Sequence, residues 1–321
     1  VSPRAHRRRS STTLPVDTHT PFRPGERLGG YVVRRVLAHD SQVVQLEAQG
    51  AQDVVVKLLW NDAEPSSRQL QDDLRRLVAM PYRRQVRVLD TGNLPDGRFF
   101  FVCERVPGWT LAETLACEGP LGIARTGRII QQVLDAAEAA RHQGVGCFGY
   151  TSDSVWVSRR DRRDHNDTVV VGELLRRRPF GYWAPEQAGD GRPRLGQAAA
   201  DVYSVGCLAF ELLAGRLPLL GDSPKQQSLL RRSESPDWPD RVARSTPSCV
   251  RDIIARQLAP DPAARPTALE AVALWSSLDL GAIARIEALS LLHTRSSRLA
   301  ARTTYPRPER PGSSGPTRRP D

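Results

Sequence analysis

No stretch of about 18 apolar residues occurs in the chain, so no segment reads as a membrane span. The most apolar window, VYSVGCLAFELLAG, is interrupted by Glu211 and reads as a buried helix. The arginines near the start are not followed by an apolar stretch, which argues against a secretory leader. Cysteine is sparse: Cys103, Cys117, Cys147, Cys207 and Cys249 are odd in number, scattered, and form no CxxC pair. That speaks against a disulfide frame and a zinc site, and it fits reduced, buried thiols in a cytoplasmic protein. Aromatics are missing where nucleic acid would need them, since the arginine-rich C-terminal tail holds only Tyr305. Solvated tails, rather than nucleic-acid binding, are the expectation. No internal repeat is found.

The charge that is present is unevenly placed. The formal net charge is +10 over 321 residues. Residues 1–24 carry five arginines and one aspartate, +4, and residues 282–321 carry eight arginines against three acids, +5. Only +1 is left for residues 25–281. The ends lack hydrophobic period and are rich in Arg, Ser, Thr, Pro and Gly. They read as a disordered basic tail over 1–24 and a basic tail over 282–321, helical at first and then disordered. Ser10, Ser11, Thr12 and Thr13 follow RRR and read as sites for another kinase.

Between the tails, β-like runs come first: GYVVRRVL, VVQLEA and DVVVKLLW. A helical pattern follows in SSRQLQDDLRRLVAM, then two more strands, QVRVLDTG and RFFFVCERV, around the turn NLPDG. After Trp109 the patterns are mainly helical, in LAETLACEG, ARTGRIIQQVLDAAEAARHQG, AAADVYSVGCLAFELLAG, PSCVRDIIARQLAP and TALEAVALWSSLDL. This order predicts an α+β, bilobal protein with a small β-rich lobe and a larger helical lobe, and a ligand cleft between them. The lobes are expected over about 25–104 and 108–281.

Three motifs identify a family. Ala184-Pro185-Glu186, the helix start DVYSVG from Asp201, and APDPAARPTALE with Arg265 occur in one order and at fitting separations. Together they resemble the bacterial eukaryotic-like (Hanks-type) Ser/Thr protein kinases, over roughly residues 28–278. The resemblance implies a kinase-like fold in which Glu186 pairs with Arg265 and Asp201 braces the catalytic loop. These are structural roles.

The same resemblance assigns the chemistry, because phosphoryl transfer works by positioning and charge stabilisation. The phosphate-covering loop aligns with LAHDSQVVQLEA, which has no glycine. Lys57 in VVVKLL matches the nucleotide-phosphate lysine, and Asp73 stands where its acidic helix partner is expected. Cys103 falls at the position that gates the back of the pocket, and Glu104 to Val106 on the adenine-facing hinge. In GVGCFGYTSDSVWV the base aspartate aligns with Gly149, the phosphate lysine with Thr151 and the metal asparagine with Ser154. Asp153 is the nearest substitute carboxylate, in a position that the family turns away from the transferred phosphate. The magnesium aspartate aligns with Glu173, followed by a segment too short for the usual activation loop.

Positions that support the fold are kept while the groups that move phosphate are changed together. The expectation is therefore a pseudokinase, a protein-binding or regulatory module without a required cofactor. The alternative is an atypical active Ser/Thr kinase that uses ATP and Mg²⁺ through Lys57, Asp73 and Glu173, with Asp153 as base.

Overall fold

A computed structural model describes residues 22–39, 43–59, 71–72, 74–75, 78, 84–142, 150–158, 167–172, 180–188, 198–219, 221–233 and 235–289. Asp73, Gly149 and Glu173 lie outside the described residues, as do Ser10 to Thr13.

The β-branched runs of the first lobe form six strands: β1 (Arg27–Leu28), β2 (Tyr31–His39), β3 (Val43–Gln49), β4 (Asp53–Leu59), β5 (Val88–Asn93) and β6 (Phe99–Glu104). They pair in the order β1-β2-β3-β4-β6-β5. Side chains alternate across a strand, so the sheet has two faces. One buries Leu46, Val56, Leu58, Phe100 and Val102 in a cluster of its own. The other carries Val43, Leu59, Phe101 and Cys103, and packs on Leu74 and on Ala140 of the helical lobe. Register places Gln45, Lys57 and Phe101 on one rung of this second face. Arg35, Glu47, Val55 and Cys103 occupy the next rung.

Two expected boundaries move. Phe22 packs against the sheet, with the Arg98 guanidinium 5.6 Å from its ring, so the folded body reaches back into the expected tail. The strand expected from Gln85 begins at Val88, because its first residues pair elsewhere. Val86 donates its N–H to the Val171 carbonyl and Val171 donates to Arg84, both at 2.8 Å. Backbone of the first lobe is thus stitched to a strand of the second.

Gly108 turns the chain between the lobes at φ +114°, where a β-carbon would strike the Val157 carbonyl. The second sheet follows, with β7 (Trp109–Thr110), β8 (Val155–Ser158) and β9 (Thr168–Val171) side by side. The helices are α1 (Leu111–Glu118), α2 (Ile123–His142), α3 (Ala198–Ala214), α4 (Pro224–Ser233), α5 (Asp240–Ser245), α6 (Ser248–Gln257) and α7 (Ala268–Ser276). A further helix, α8, covers 280–289. Thr110 and Thr267 open α1 and α7 with reciprocal bonds to Glu113 and Glu270, which satisfies two main-chain donors at the start of each helix. α3 is buried along almost its whole length and forms the axis of the helical core. Among the described residues no helix is long and apolar enough to cross a membrane.

Candidate functional site

A helix enclosed on nearly all faces must satisfy each polar side chain it carries. Asp201, Ser204 and Glu211 lie at spacings of three and seven and therefore share one stripe of α3. That stripe faces the loop 150–154. Ser204 accepts a hydrogen bond from the Tyr150 N–H at 3.3 Å and donates to the Asp201 carbonyl at 2.8 Å. The bond from α3 to this loop is made by Ser204, one turn after Asp201, the residue for which a brace is expected. Asp201 itself is buried in the first turn.

The loop closes on itself where the resemblance places phosphate and metal ligands. Thr151 N–H donates to Ser154 Oγ at 2.8 Å, and Ser154 N–H donates to Thr151 Oγ1 at 3.2 Å. Ser154 Oγ also donates to the Thr151 carbonyl at 3.1 Å. Both side chains are buried. Their hydroxyls build a tight turn, with none of the reach of a lysine or the amide oxygen of an asparagine. Asp153 is half-buried, and its charge bears on Glu211 of α3.

Lys57 is buried on the cleft face of β4, its Nζ 6.0 Å from the centre of the Phe101 ring. On the neighbouring rung stands Glu47, also buried. Its carboxylate pairs with Arg35 and, at 3.2 Å, with Arg105 of the hinge. A carboxylate clamped between strand and hinge occupies the roof beside Lys57. Glu104 caps the strand end by accepting the Arg87 N–H at 3.0 Å, and Val106 is half-buried against the cleft-side cluster. Below, Trp156 on β8 pairs with Val170 and faces away from the helical core that takes Val155 and Val157. Its indole lies against Gly172, where a β-carbon would come within 3.0 Å of the ring. Lys57 and Glu47 thus stand on neighbouring rungs of one face, and Arg105 ties Glu47 to the hinge.

Glu186 and Arg265 meet in a two-pronged pair. The two carboxylate oxygens accept from Nη1 at 2.6 Å and Nη2 at 2.8 Å. The remaining donors go to the carbonyls of Ala259, Ala199 and Pro260 at 2.7, 3.0 and 3.1 Å, so all five N–H groups are used. The guanidinium also lies 4.8 Å from the Tyr203 ring centre.

A second polar cluster went unnoticed in the sequence because its successive members are 30 and 29 residues apart. Tyr182 OH donates to Glu211 Oε2, and Ser152 Oγ donates to Oε1 at 3.2 Å. The two hydroxyls are 3.0 Å apart. Burial raises the Glu211 carboxyl above its ordinary range, the two hydroxyl donors pull it back, and the Asp153 charge adds to the rise.

The fold family implies a magnesium–nucleotide ligand, and the described part of the site does not fit it. The phosphate-lysine and metal-asparagine positions hold two short hydroxyl side chains, each accepting the main-chain N–H of the other residue.

No family model matches the chain. Curated proteins do. The chain is 30% identical over 240 residues to serine/threonine-protein kinase pkn3 of Myxococcus xanthus, covering 68% of this chain and 43% of that protein. It is 27% identical over 233 residues to serine/threonine-protein kinase PknB of Mycolicibacterium smegmatis, covering 65% and 36%. Against serine/threonine-protein kinase PrkC of Bacillus subtilis it is 25% identical over 266 residues, covering 74% and 39%. The chain spans less than half the length of these three relatives. Its fold is similar to the crystal structure of Rad53 1-466 in complex with AMP-PNP, with a TM-score of 0.63 and 20% identity over 76% of this chain and 64% of that one. With the sheet lobe, the α3 axis, the Glu186–Arg265 pair and these relatives in view, the chain belongs to the bacterial eukaryotic-like (Hanks-type) Ser/Thr protein kinase family.

Proposed function

We propose that this chain is a pseudokinase, a kinase-fold module that recognises another protein and does not transfer phosphate. The observation that carries this reading is the reciprocal Thr151–Ser154 turn, in which each hydroxyl accepts the other residue's main-chain N–H at the positions meant for phosphate and metal. The Trp156 indole supports it from below, by filling floor space beside Gly172. The retained Glu186–Arg265 pair and α3 axis maintain a rigid surface for recognition, with no need for the chemistry.

A calorimetric titration of the full chain with ATP, with and without Mg²⁺, tests the reading. No saturable heat at millimolar nucleotide is expected, and no rise in melting temperature, since a ligand stabilises by RT ln(1 + [L]/Kd). Magnesium-dependent saturation would overturn it. That outcome would favour the second reading, an atypical Ser/Thr kinase, for which the buried Lys57 on the cleft face is the supporting observation.

A further inference from the structure

A cavity of about 280 Å³ lies between α1, the loop 150–154 and the end of α3. Ala112, Leu115, Ala116 and Pro120 make an apolar wall, and Ser152 and Glu211 supply the polar part. Glu211 has no cationic partner among the described residues, and its oxygens are met only by the Tyr182 and Ser152 hydroxyls. A carboxylate offers about four acceptor positions, so two remain. A mostly buried carboxylate left uncompensated is costly, and the fitting occupant is a guanidinium on an apolar stem. The planar fork would complete the carboxylate, and the methylenes would lie on the alanine, leucine and proline wall.

The course of α8 says where such a group comes from. Its first residue, Leu280, packs at Gly127 of α2, where a β-carbon would meet it at 2.8 Å. Two turns later Glu287 reaches the start of α2 and accepts the Ile123 N–H at 2.6 Å and the Ala124 N–H at 3.4 Å. α8 therefore runs antiparallel to α2, toward the end that continues into Pro120. Pro120 lines the cavity, and its ring is 3.1 Å from a β-carbon placed on Gly215 at the opposite rim. Gly122, against which Glu287 lies, is two residues from Pro120, at most about 7 Å along the chain. The chain beyond Leu289 thus starts beside the cavity. Arg295 follows six residues later and Arg298 nine, within a span of about 20 to 30 Å. The segment 282–321 carries +5, against +1 for the folded body.

We propose that the cavity at Glu211 is a docking site for the chain's own basic segment after α8, with the guanidinium of Arg295 or Arg298 seated between Glu211 and the α1 wall. The fold then holds its C-terminal segment along one side of the helical lobe, and access to this surface is set by that segment. The inference does not depend on whether the chain transfers phosphate.

Cys117 is exposed on α1, next to Ala116 of the wall, and gives a direct test. In the full chain, Ser296→Cys is combined with Cys249→Ser, a short bis-maleimide is added, and links are mapped by peptide mass spectrometry. A link between Cys117 and the thiol introduced at position 296 is expected to form readily. It should slow about tenfold when Arg295→Ala and Arg298→Ala are added, as removal of a charge-assisted hydrogen bond predicts. The tail substitutions leave the folded body untouched, so this arm stands even if Glu211→Gln, which should slow linking similarly, perturbs folding. Absence of the link in the parent, or linking at the same rate without the two arginines, would overturn the proposal.

Discussion

Arg265→Ala is expected to destabilise the folded chain by about 3–5 kcal/mol, the cost of breaking a buried pair by removing one partner. The Arg265 side chain is completely buried and spends all five donors, two on Glu186 and three on main-chain carbonyls. Alanine would leave the carboxylate without its counter-charge and the carbonyls of Ala259, Ala199 and Pro260 without this donor. It would also remove the stack on Tyr203. The segment around Glu186 is joined to the chain before α7 through this one side chain, so the loss should spread. Chemical denaturation of variant and parent checks it: the midpoint should fall with little change in slope, because similar surface is exposed on unfolding. Arg265→Lys should recover only part, since a point charge cannot reproduce the fork. A change below about 1 kcal/mol would mean that the pair is solvated, contrary to its burial.

Trp275→Ala is expected to cost a similar amount, about 3–5 kcal/mol, through a different cause. Trp275 is fully buried in the core where α7, α2 and α6 meet. Its ring lies 3.3 Å from a β-carbon placed on Gly127, so the glycine on α2 makes room for the indole. The indole N–H donates to Gln257 Oε1 at 3.1 Å, and Gln257 is itself fully buried. Alanine would therefore open a cavity and strand an acceptor. Trp275→Phe separates the two costs: it keeps most of the volume and should lose about 1–3 kcal/mol for the unsatisfied amide oxygen. Equal losses for both substitutions, measured by denaturation midpoint, would mean that packing contributes little there.

What could be read in the sequence was local. Lys57 sits within an alternating strand, Asp201 opens a long apolar helix, and Glu186 and Arg265 lie in short motifs whose pairing the family resemblance implied. The α+β order of elements was equally legible, because the switch from period two to period 3.6 near Trp109 marks where sheet gives way to helix. The missed features are tertiary. Glu47 reads as a solvated strand residue until the register places Arg35 opposite and the hinge brings Arg105 over it. Ser152, Tyr182 and Glu211 are unremarkable in sequence and meet only because α3 carries its polar stripe against the loop. α4 and α5 were passed over because PKQQSLLRRS and DRVARS are short and polar, with little periodic signal. Gln85 and Val86 looked like the start of β5, and a bond to Val171 in the other lobe took them out of the ladder.

The central claim is that the scaffold persists without the groups that move phosphate. Its most direct test is transfer of radiolabel from the γ-position of ATP, with Mg²⁺ or Mn²⁺, to the full chain or to a general protein substrate. The account predicts incorporation no greater than that of the Lys57→Met variant. Robust labelling of the parent that Lys57→Met abolishes would contradict it.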